Sequence, residues 1–225
     1  MFLEGGSPID RRAFIDRVTK VAVSAAAAAA MVDQLMPNYA AAQQVSPTDS
    51  RLVSSRVSVP SPAGHGAIGG LLVRPRPRAG WGGVERLPAI LVVHENHGLN
   101  PHIEDTARRL ALSSFMTFAP DTLTSAGGYP GEDEKAGALF ATLDRAKMRE
   151  DLHAAAVWLK NRADSTGRLG AIGFGLSGGV GLVNALAVRM GADLEAAVSF
   201  DGAAPPAAAD AAWARTVLRF IKSLT

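Results

Sequence analysis

Apolar and polar positions fall into blocks along the chain, and successive blocks carry different periods. Arg51 to Val59 and Ala67 to Val73 are rich in Val, Leu and Ile around a Gly/Pro-containing turn, which predicts an antiparallel hairpin. Pro88 to Val93 is a continuous apolar run, the pattern of a strand covered on both faces in a largely parallel sheet. A helix is predicted next, with Asn100 as N-cap, Pro101 at the first helical position, and Ile103, Ala107, Leu110 and Ala111 at helical spacing. Phe115 to Ala119 reads as a strand, and Asp121 to Gly131 as a loop. Met148, Leu152, Ala155 and Leu159 then make one apolar stripe of a helix. Leu169 to Phe174 is strand, Val180 to Met190 helix and Ala196 to Phe200 strand, and Trp213, Val217, Phe220 and Ile221 fit a final amphipathic helix. Alternation of this kind predicts an α/β fold with a doubly wound, mostly parallel sheet, whose reactive groups collect at the carboxyl ends of the strands.

Composition narrows the chemistry. With 225 residues, 48% of them hydrophobic, the chain can bury one substantial core. Its 23 basic and 21 acidic side chains are dispersed, so no basic stripe points to nucleic acid. There is no cysteine, which excludes disulfides, thiolate metal sites and a cysteine nucleophile. No metal or organic cofactor is expected.

The N-terminus has the order charged, apolar, small. Asp10-Arg11-Arg12-Ala13-Phe14-Ile15 precedes a weakly apolar stretch from Val18 to Val32, and Ala40-Ala41-Ala42 offers a cleavage site. Residues 1–42 therefore look like a twin-arginine-type export leader, which would place the protein in the periplasm; an unused leader would leave it cytoplasmic. The apolar run, flanked by Lys20 and Asp33, is shorter than the about 20 residues a bilayer span needs, so no integral membrane span is expected. The polar segment 43–50, with Pro47, reads as a linker, and the domain is expected over 51–225.

Gly175-Leu176-Ser177-Gly178-Gly179 fits G-x-S-x-G, with an apolar strand before it and a helix after it. A serine on a tight strand-to-helix turn needs small neighbours to avoid clashes, and the helix amino end then faces a developing oxyanion. Ser177 is the nucleophile candidate on this ground. The competing interpretation is a glycine-rich turn that only lets helix and sheet pack closely.

The wider sequence resembles the dienelactone hydrolase (carboxymethylenebutenolidase) family of the α/β-hydrolase superfamily, in its branch with a twin-arginine leader. The likeness is carried by the stretch His94-Glu95-Asn96-His97-Gly98-Leu99-Asn100-Pro101-His102-Ile103-Glu104-Asp105. It continues in Ala107 to Leu112, Ala119-Pro120-Asp121, Leu143 to Lys147 and Asp164 to Gly167. The resemblance implies a small-molecule lactone or ester substrate. It gives Glu95 the role of facing the nucleophile and controlling its ionisation, and makes the backbone amides of Asn96 and Gly178 the oxyanion donors. At the elbow the family reads Gly-Phe-Cys-aromatic-Gly-Gly. Counting forward from Gly173-Phe174 puts its cysteine on Gly175; counting back seven residues from Asn184, the family's helix asparagine, lands on Ser177.

After Ser199-Phe200-Asp201-Gly202 the family continues through two further strands, which carry the triad aspartate and histidine. Here Ala203 to Asp210 leads straight into Trp213 to Phe220, which looks like the closing helix, so the sheet is expected to be truncated by about two strands. No histidine follows His153, and the order nucleophile, acid, histidine cannot be completed. His97 beside the expected site is the candidate substitute base, with His94 and Glu95 as further candidates. The expected function is hydrolysis of a lactone or ester through a weak acyl-serine. The alternative is a non-catalytic remnant or ligand-binding protein.

Outside the elbow, Arg108 and Arg109 read as solvated helix positions, and Arg74, Arg76 and Arg78 as a solvated hairpin edge rather than a carboxylate site. Asp121 is either an organiser of the substrate loop or an ordinary turn start. The Ala196 to Phe200 strand, left at an uncovered edge, is a route to a homodimer.

Overall fold

The computed structural model describes residues 43–77, 85–200 and 206–224, so the expected leader over 1–42 and Arg78 lie outside the described residues. Strands β1 (Leu52–Ser61) and β2 (Gly66–Pro75) form the antiparallel hairpin, and β3 (Leu87–Val93), β4 (Met116–Asp121), β5 (Ser165–Phe174) and β6 (Ala196–Phe200) complete the sheet. The strand order is β1-β2-β4-β3-β5-β6, with β4, β3, β5 and β6 mutually parallel and β2 antiparallel to β4. Among the described residues, β6 ends the sheet on one side.

Helices α1 (Pro101–Leu112) and α5 (Pro206–Leu224) cover one face; α2 (Asp133–Thr142), α3 (Arg145–Lys160) and α4 (Val180–Met190) cover the other. The continuous apolar run of β3 is what such a double cover requires. Leu91 and Val93 point into the layer with Met148, Leu152 and Val183, while Ile90 and Val92 point into the layer with Ile103, Leu110 and Phe220. Each fully buried side chain of this size stabilises the fold by about 1.5–3 kcal/mol. Among the described residues no helix is long and apolar enough to cross a membrane.

Side-chain caps set the helix starts. Asn100 Oδ1 accepts from the Ile103 amide at 3.1 Å, and Asp144 Oδ1 accepts from the amides of Ala146 and Lys147 at 2.8 and 3.2 Å. A cap of this kind is worth about 1 kcal/mol. The Asp144 cap starts α3 two residues after the end of α2.

The structure corrects the expectation of solvated arginines. Arg108 is 3% exposed, donates from Nε to the Val45 carbonyl at 3.1 Å and stands 3.4 Å from Glu104 Oε2. The face that periodicity marks as polar is covered by the segment read as a linker. Asp105 Oδ1 accepts from the amides of Gln44 and Val45 at 3.1 and 2.8 Å, and Val45 is buried. That segment is therefore docked on α1. Arg74 pairs with Asp164 at 2.8 Å and also donates to the Glu85 carbonyl; Arg76 is exposed, as expected of a hairpin edge, and donates to the Ser50 carbonyl. Burial would raise the Asp164 carboxyl, but hydrogen bonds from Arg162 and the charges of Arg162 and Arg74 outweigh it and hold the pKa below its ordinary value.

The β1–β2 turn is fastened to α3 through a second buried carboxylate. Asp151, 2% exposed, accepts from the His65 amide at 2.9 Å and pairs with His65 Nδ1 at 2.6 Å. Asp151→Ala strands both groups, and it should lower the unfolding free energy by about 2–4 kcal/mol. Urea denaturation of the purified protein measures this; a change within experimental error would show that the contact carries no stability.

Candidate active site

Registry between parallel neighbours decides which groups meet at the top of the sheet. Val93 of β3 is paired with Gly173 of β5, so two residues on from that pair, residue 95 comes level with residue 175. Gly175 has φ 72°, the left-handed region that glycine enters without steric cost. A Cβ built there would stand 2.8 Å from Glu95 Cβ and 3.1 Å from Glu95 Oε2. The apex of the strand-to-helix turn is thus a glycine facing a carboxylate.

Residues Gly175–Gly179 form a π-helical turn, in which the Val180 amide donates to the Gly175 carbonyl five residues back. A turn this wide is how a helix start accommodates an added residue. The turn takes up one of the two residues by which the sequence anchors at Gly175 and Ser177 differ. The turn passes close to the loop after β3: a Cβ at Gly178 would lie 2.7 Å from the Glu95 carbonyl carbon and 2.9 Å from the Asn96 nitrogen. One at Gly179 would lie 2.5 Å from the Phe174 nitrogen and 2.8 Å from the His94 carbonyl oxygen. Glycine is required at both positions because backbone meets backbone. Ser177 belongs to this same turn, one residue before Gly178; its side chain lies outside the described residues.

Of the candidate bases, His97 and Glu95 are neighbours. His97 Nδ1 stands 3.9 Å from Glu95 Oε1, and this buried nitrogen has no hydrogen-bond partner among the described residues. Both side chains are about one-third exposed, 29% for His97 and 31% for Glu95. His94 is excluded as a base. Its ring is fully buried, Nδ1 meets the Glu95 carbonyl, and Nε2 lies 3.0 Å from both the amide and the hydroxyl of Thr122. Burial pushes its pKa down, against the upward pull of the Asp121 carboxylate. Asp121 Oδ1 is 3.8 Å from Nε2, but that nitrogen accepts from the Thr122 amide and so carries no proton to form an ion pair.

Asp121 proves to be an organiser. Its carboxylate accepts from the amides of Leu99, Leu123 and Tyr129 at 3.3, 3.0 and 2.9 Å, tying the loop after β3 to the loop after β4. Farther along the second loop, the Tyr129 hydroxyl donates to Asp133, and burial followed by that bond raises its pKa to about 12. Sequence reasoning passed over His102. It occupies the first turn of α1 with its ring 6.0 Å edge-on from Phe174, which itself stacks on Phe200 at 5.5 Å. Burial lowers the His102 pKa while Glu95 pulls it up, so it belongs to the same electrostatic neighbourhood. Its position within the stretch from His94 to Asp105 was the available signal.

A mixed sheet wound on both faces, a glycine-rich turn after its β5 strand and a carboxylate facing that turn define an α/β-hydrolase-like protein. Residues 72–221 match the Dienelactone hydrolase family, and the chain belongs to that family. It is 49% identical over 117 residues to a protein of Escherichia coli K12 described as a hydrolase fragment, YghX, covering 52% of this chain and 96% of that one. It is 35% identical over 103 residues to a Bradyrhizobium protein described as a 2-oxo-3-(5-oxofuran-2-ylidene)propanoate lactonase, covering 44% of this chain and 41% of that one. Among solved structures it resembles one titled m3DLH, with TM-score 0.55 and 28% identity over 69% of this chain and 62% of that chain. It also resembles P91, a dienelactone hydrolase-like promiscuous phosphotriesterase from metagenomic libraries, with TM-score 0.50 and 27% identity over 72% and 64% of the two chains. The chain thus spans less than two thirds of both solved relatives and less than half of the lactonase.

Two outcomes test this geometry. Gly179→Ala would drive a Cβ into backbone atoms on two sides and should cost more than about 3 kcal/mol, whereas Gly175→Ala, strained by its φ and by the 2.8 Å approach to Glu95 Cβ but meeting no backbone, should cost less, about 1–3 kcal/mol. Thermal or urea melts of the two variants give the order. The buried His94 sets a pH dependence. Below the unfolded value of 6.5 the unfolded chain binds a proton that the folded chain refuses, so stability is full above pH 6.5 and falls as pH drops below it. The slope should approach about 1.4 kcal/mol per pH unit for this one group. His94→Asn should reduce the slope in that window, where His102 and His153, their pKa values also lowered chiefly by burial, supply the remainder; an unchanged slope would remove His94 as a source.

Proposed function

We propose that this protein hydrolyses a lactone or a carboxylic ester at the turn after β5. The observation that supports this most is the packing of Glu95 and the Asn96 amide directly against residues 175–179. In this reading the Ser177 hydroxyl oxygen attacks the ester carbonyl carbon, and its proton passes to His97, with Glu95 beside the imidazole to stabilise the cation. Negative charge on the former carbonyl oxygen is met by the amides of Asn96 and Gly178. Collapse breaks the carbon–oxygen bond to the leaving alcohol, which takes the proton from His97. Water then attacks the acyl-serine by the same sequence and restores the hydroxyl. The acid and histidine of an ordinary triad are replaced by a pair whose nitrogen and oxygen are 3.9 Å apart. Activity should accordingly be weak, since a site without a full triad retains about 10³ to 10⁴-fold acceleration over water.

A second reading has its own support. The residue level with Glu95 is Gly175, which has no side chain to act as nucleophile. A protein with that apex would keep the amide donors and bind ligands without covalent turnover.

Hydrolysis of an activated aryl ester separates the two. The acyl-serine route predicts that Ser177→Ala loses about 100-fold, near 2.7 kcal/mol of transition-state stabilisation, and that Glu95→Gln loses about 10-fold or more. An acyl adduct on the peptide containing Ser177 should appear in mass spectra of wild type under acid quench. Equal rates for wild type and Ser177→Ala would discard the serine route. Saturable binding of a lactone with no turnover above buffer would establish the binding reading.

A further inference from the structure

We propose that His94 is a positioning residue which fixes the direction of the Asn96 amide by holding the opposite end of the same peptide unit. Its function in catalysis rests on the reading above; its geometry does not.

The atoms around the ring decide where its proton sits. The Thr122 backbone nitrogen can only donate, so His94 Nε2, 3.0 Å away, must accept and be unprotonated. The Glu95 carbonyl oxygen can only accept, so Nδ1 must donate to it and carry the proton. Two independent partners fix the same tautomer. The ring cannot turn over without breaking both bonds. The Thr122 hydroxyl adds a third contact to Nε2, and the edge of the Phe140 ring, 6.1 Å away between centroids, closes the side toward α2. Asp121 lies beside Nε2, while Glu95 and His97 are the neighbouring ionisable groups on the ring's own loop.

The peptide plane carries this constraint to the site. The Glu95 carbonyl and the Asn96 N–H are the two ends of one planar unit and point in opposite directions. Holding the carbonyl toward the buried imidazole therefore turns the N–H the other way. Gly178 lies against that same unit, since a Cβ on it would stand 2.7 Å from the Glu95 carbon and 2.9 Å from the Asn96 nitrogen. A hydrogen bond accepted by the carbonyl also polarises the unit and strengthens the N–H as a donor. His94 thus acts on the proposed oxyanion donor without touching substrate. Because Thr122 follows Asp121, the ring also couples the amide to the loop that Asp121 organises.

The test uses the full chain labelled with ¹⁵N. Long-range proton–nitrogen correlation at neutral pH should show His94 as the Nδ1–H tautomer, the minor form of a free imidazole. A ring protonated at Nε2 overturns the proposal, and this measurement on wild type needs no variant to fold. His94→Asn keeps an N–H donor near the Nδ1 position, whereas His94→Leu removes both hydrogen-bonding groups. The Asn96 amide signal should stay near its wild-type position in the first variant and move in the second; an unmoved signal in folded His94→Leu also overturns the proposal. With an activated ester, kcat should fall about 10- to 100-fold in His94→Leu with KM changed less than about threefold, and His94→Asn should recover most of the loss. An equal fall of kcat in His94→Asn and His94→Leu, with no recovery by the donor-bearing side chain, would mark a merely structural role and overturn the proposal. If wild type shows the expected tautomer and amide shift but no hydrolysis, positioning stands and the hydrolytic reading falls. Hydrolysis with the opposite tautomer leaves the hydrolytic reading in place and removes the positioning role.

Discussion

The site depends on one contact, the direct approach of two backbone segments at the top of neighbouring parallel strands. β3 and β5 are adjacent and in register through Val93 and Gly173, so the loop after one and the turn after the other leave the sheet at the same level. They can pass each other only where no Cβ intervenes, which places glycine at 178 and 179. Given that approach, the Glu95–Asn96 peptide is held between the turn and the buried His94 ring. Without it the same residues would lie on separate loops.

The remaining polar groups around the core serve to hold loops at fixed distances from this contact. Unpaired buried carboxylates are among the most costly features a fold can contain. Here each one is satisfied by amides or by a cation from a distant part of the chain. Asp121 gathers three amides from two loops, Asp105 gathers two from the docked segment 44–45, and Asp151 takes both the amide and the ring of His65. Apart from the Leu123 amide, which Asp121 caps locally, these bonds act over longer spans of sequence than helix caps do, and they hold the loops where the sheet alone would leave them free. The same logic explains Arg108, which sits under residue 45 because its stem and guanidinium fill the space between helix and docked chain.

Periodicity carried most of the fold. The apolar run of β3, the stripe of α3 and the Asn100-Pro101 start of α1 are local signals, and each corresponds to an observed element. What local signals could not carry was partnership. Nothing near Arg74 in sequence announces Asp164, ninety positions on, and nothing near Arg108 announces Val45. Both arginines therefore read as solvated. The elbow shows the same limit in sharper form. G-x-S-x-G supplies a reactive residue type, but which position comes level with Glu95 is fixed by interstrand register, a property of two strands together. That register brings Gly175 to the carboxylate, two positions before the hydroxyl the motif supplies.

The separation between those two positions has a physical consequence for the kind of site this is. Oxyanion donors made of backbone amides depend on the path of the chain and are indifferent to side-chain identity, so glycine at 175 leaves them intact. A nucleophile depends wholly on a side chain. The two halves of an acyl-transfer site can therefore be lost independently, and in this chain the proposed backbone half is held by close-packed contacts: the two glycines against residues 94–96, and the fully buried His94 ring beside them. Under the proposed reading, such an arrangement would stabilise negative charge on a bound oxygen whichever atom has attacked its carbon. Whether the attacking oxygen belongs to Ser177 or to water, the amide of Asn96 would meet the same tetrahedral charge, and its direction is the quantity the surrounding structure is arranged to hold constant.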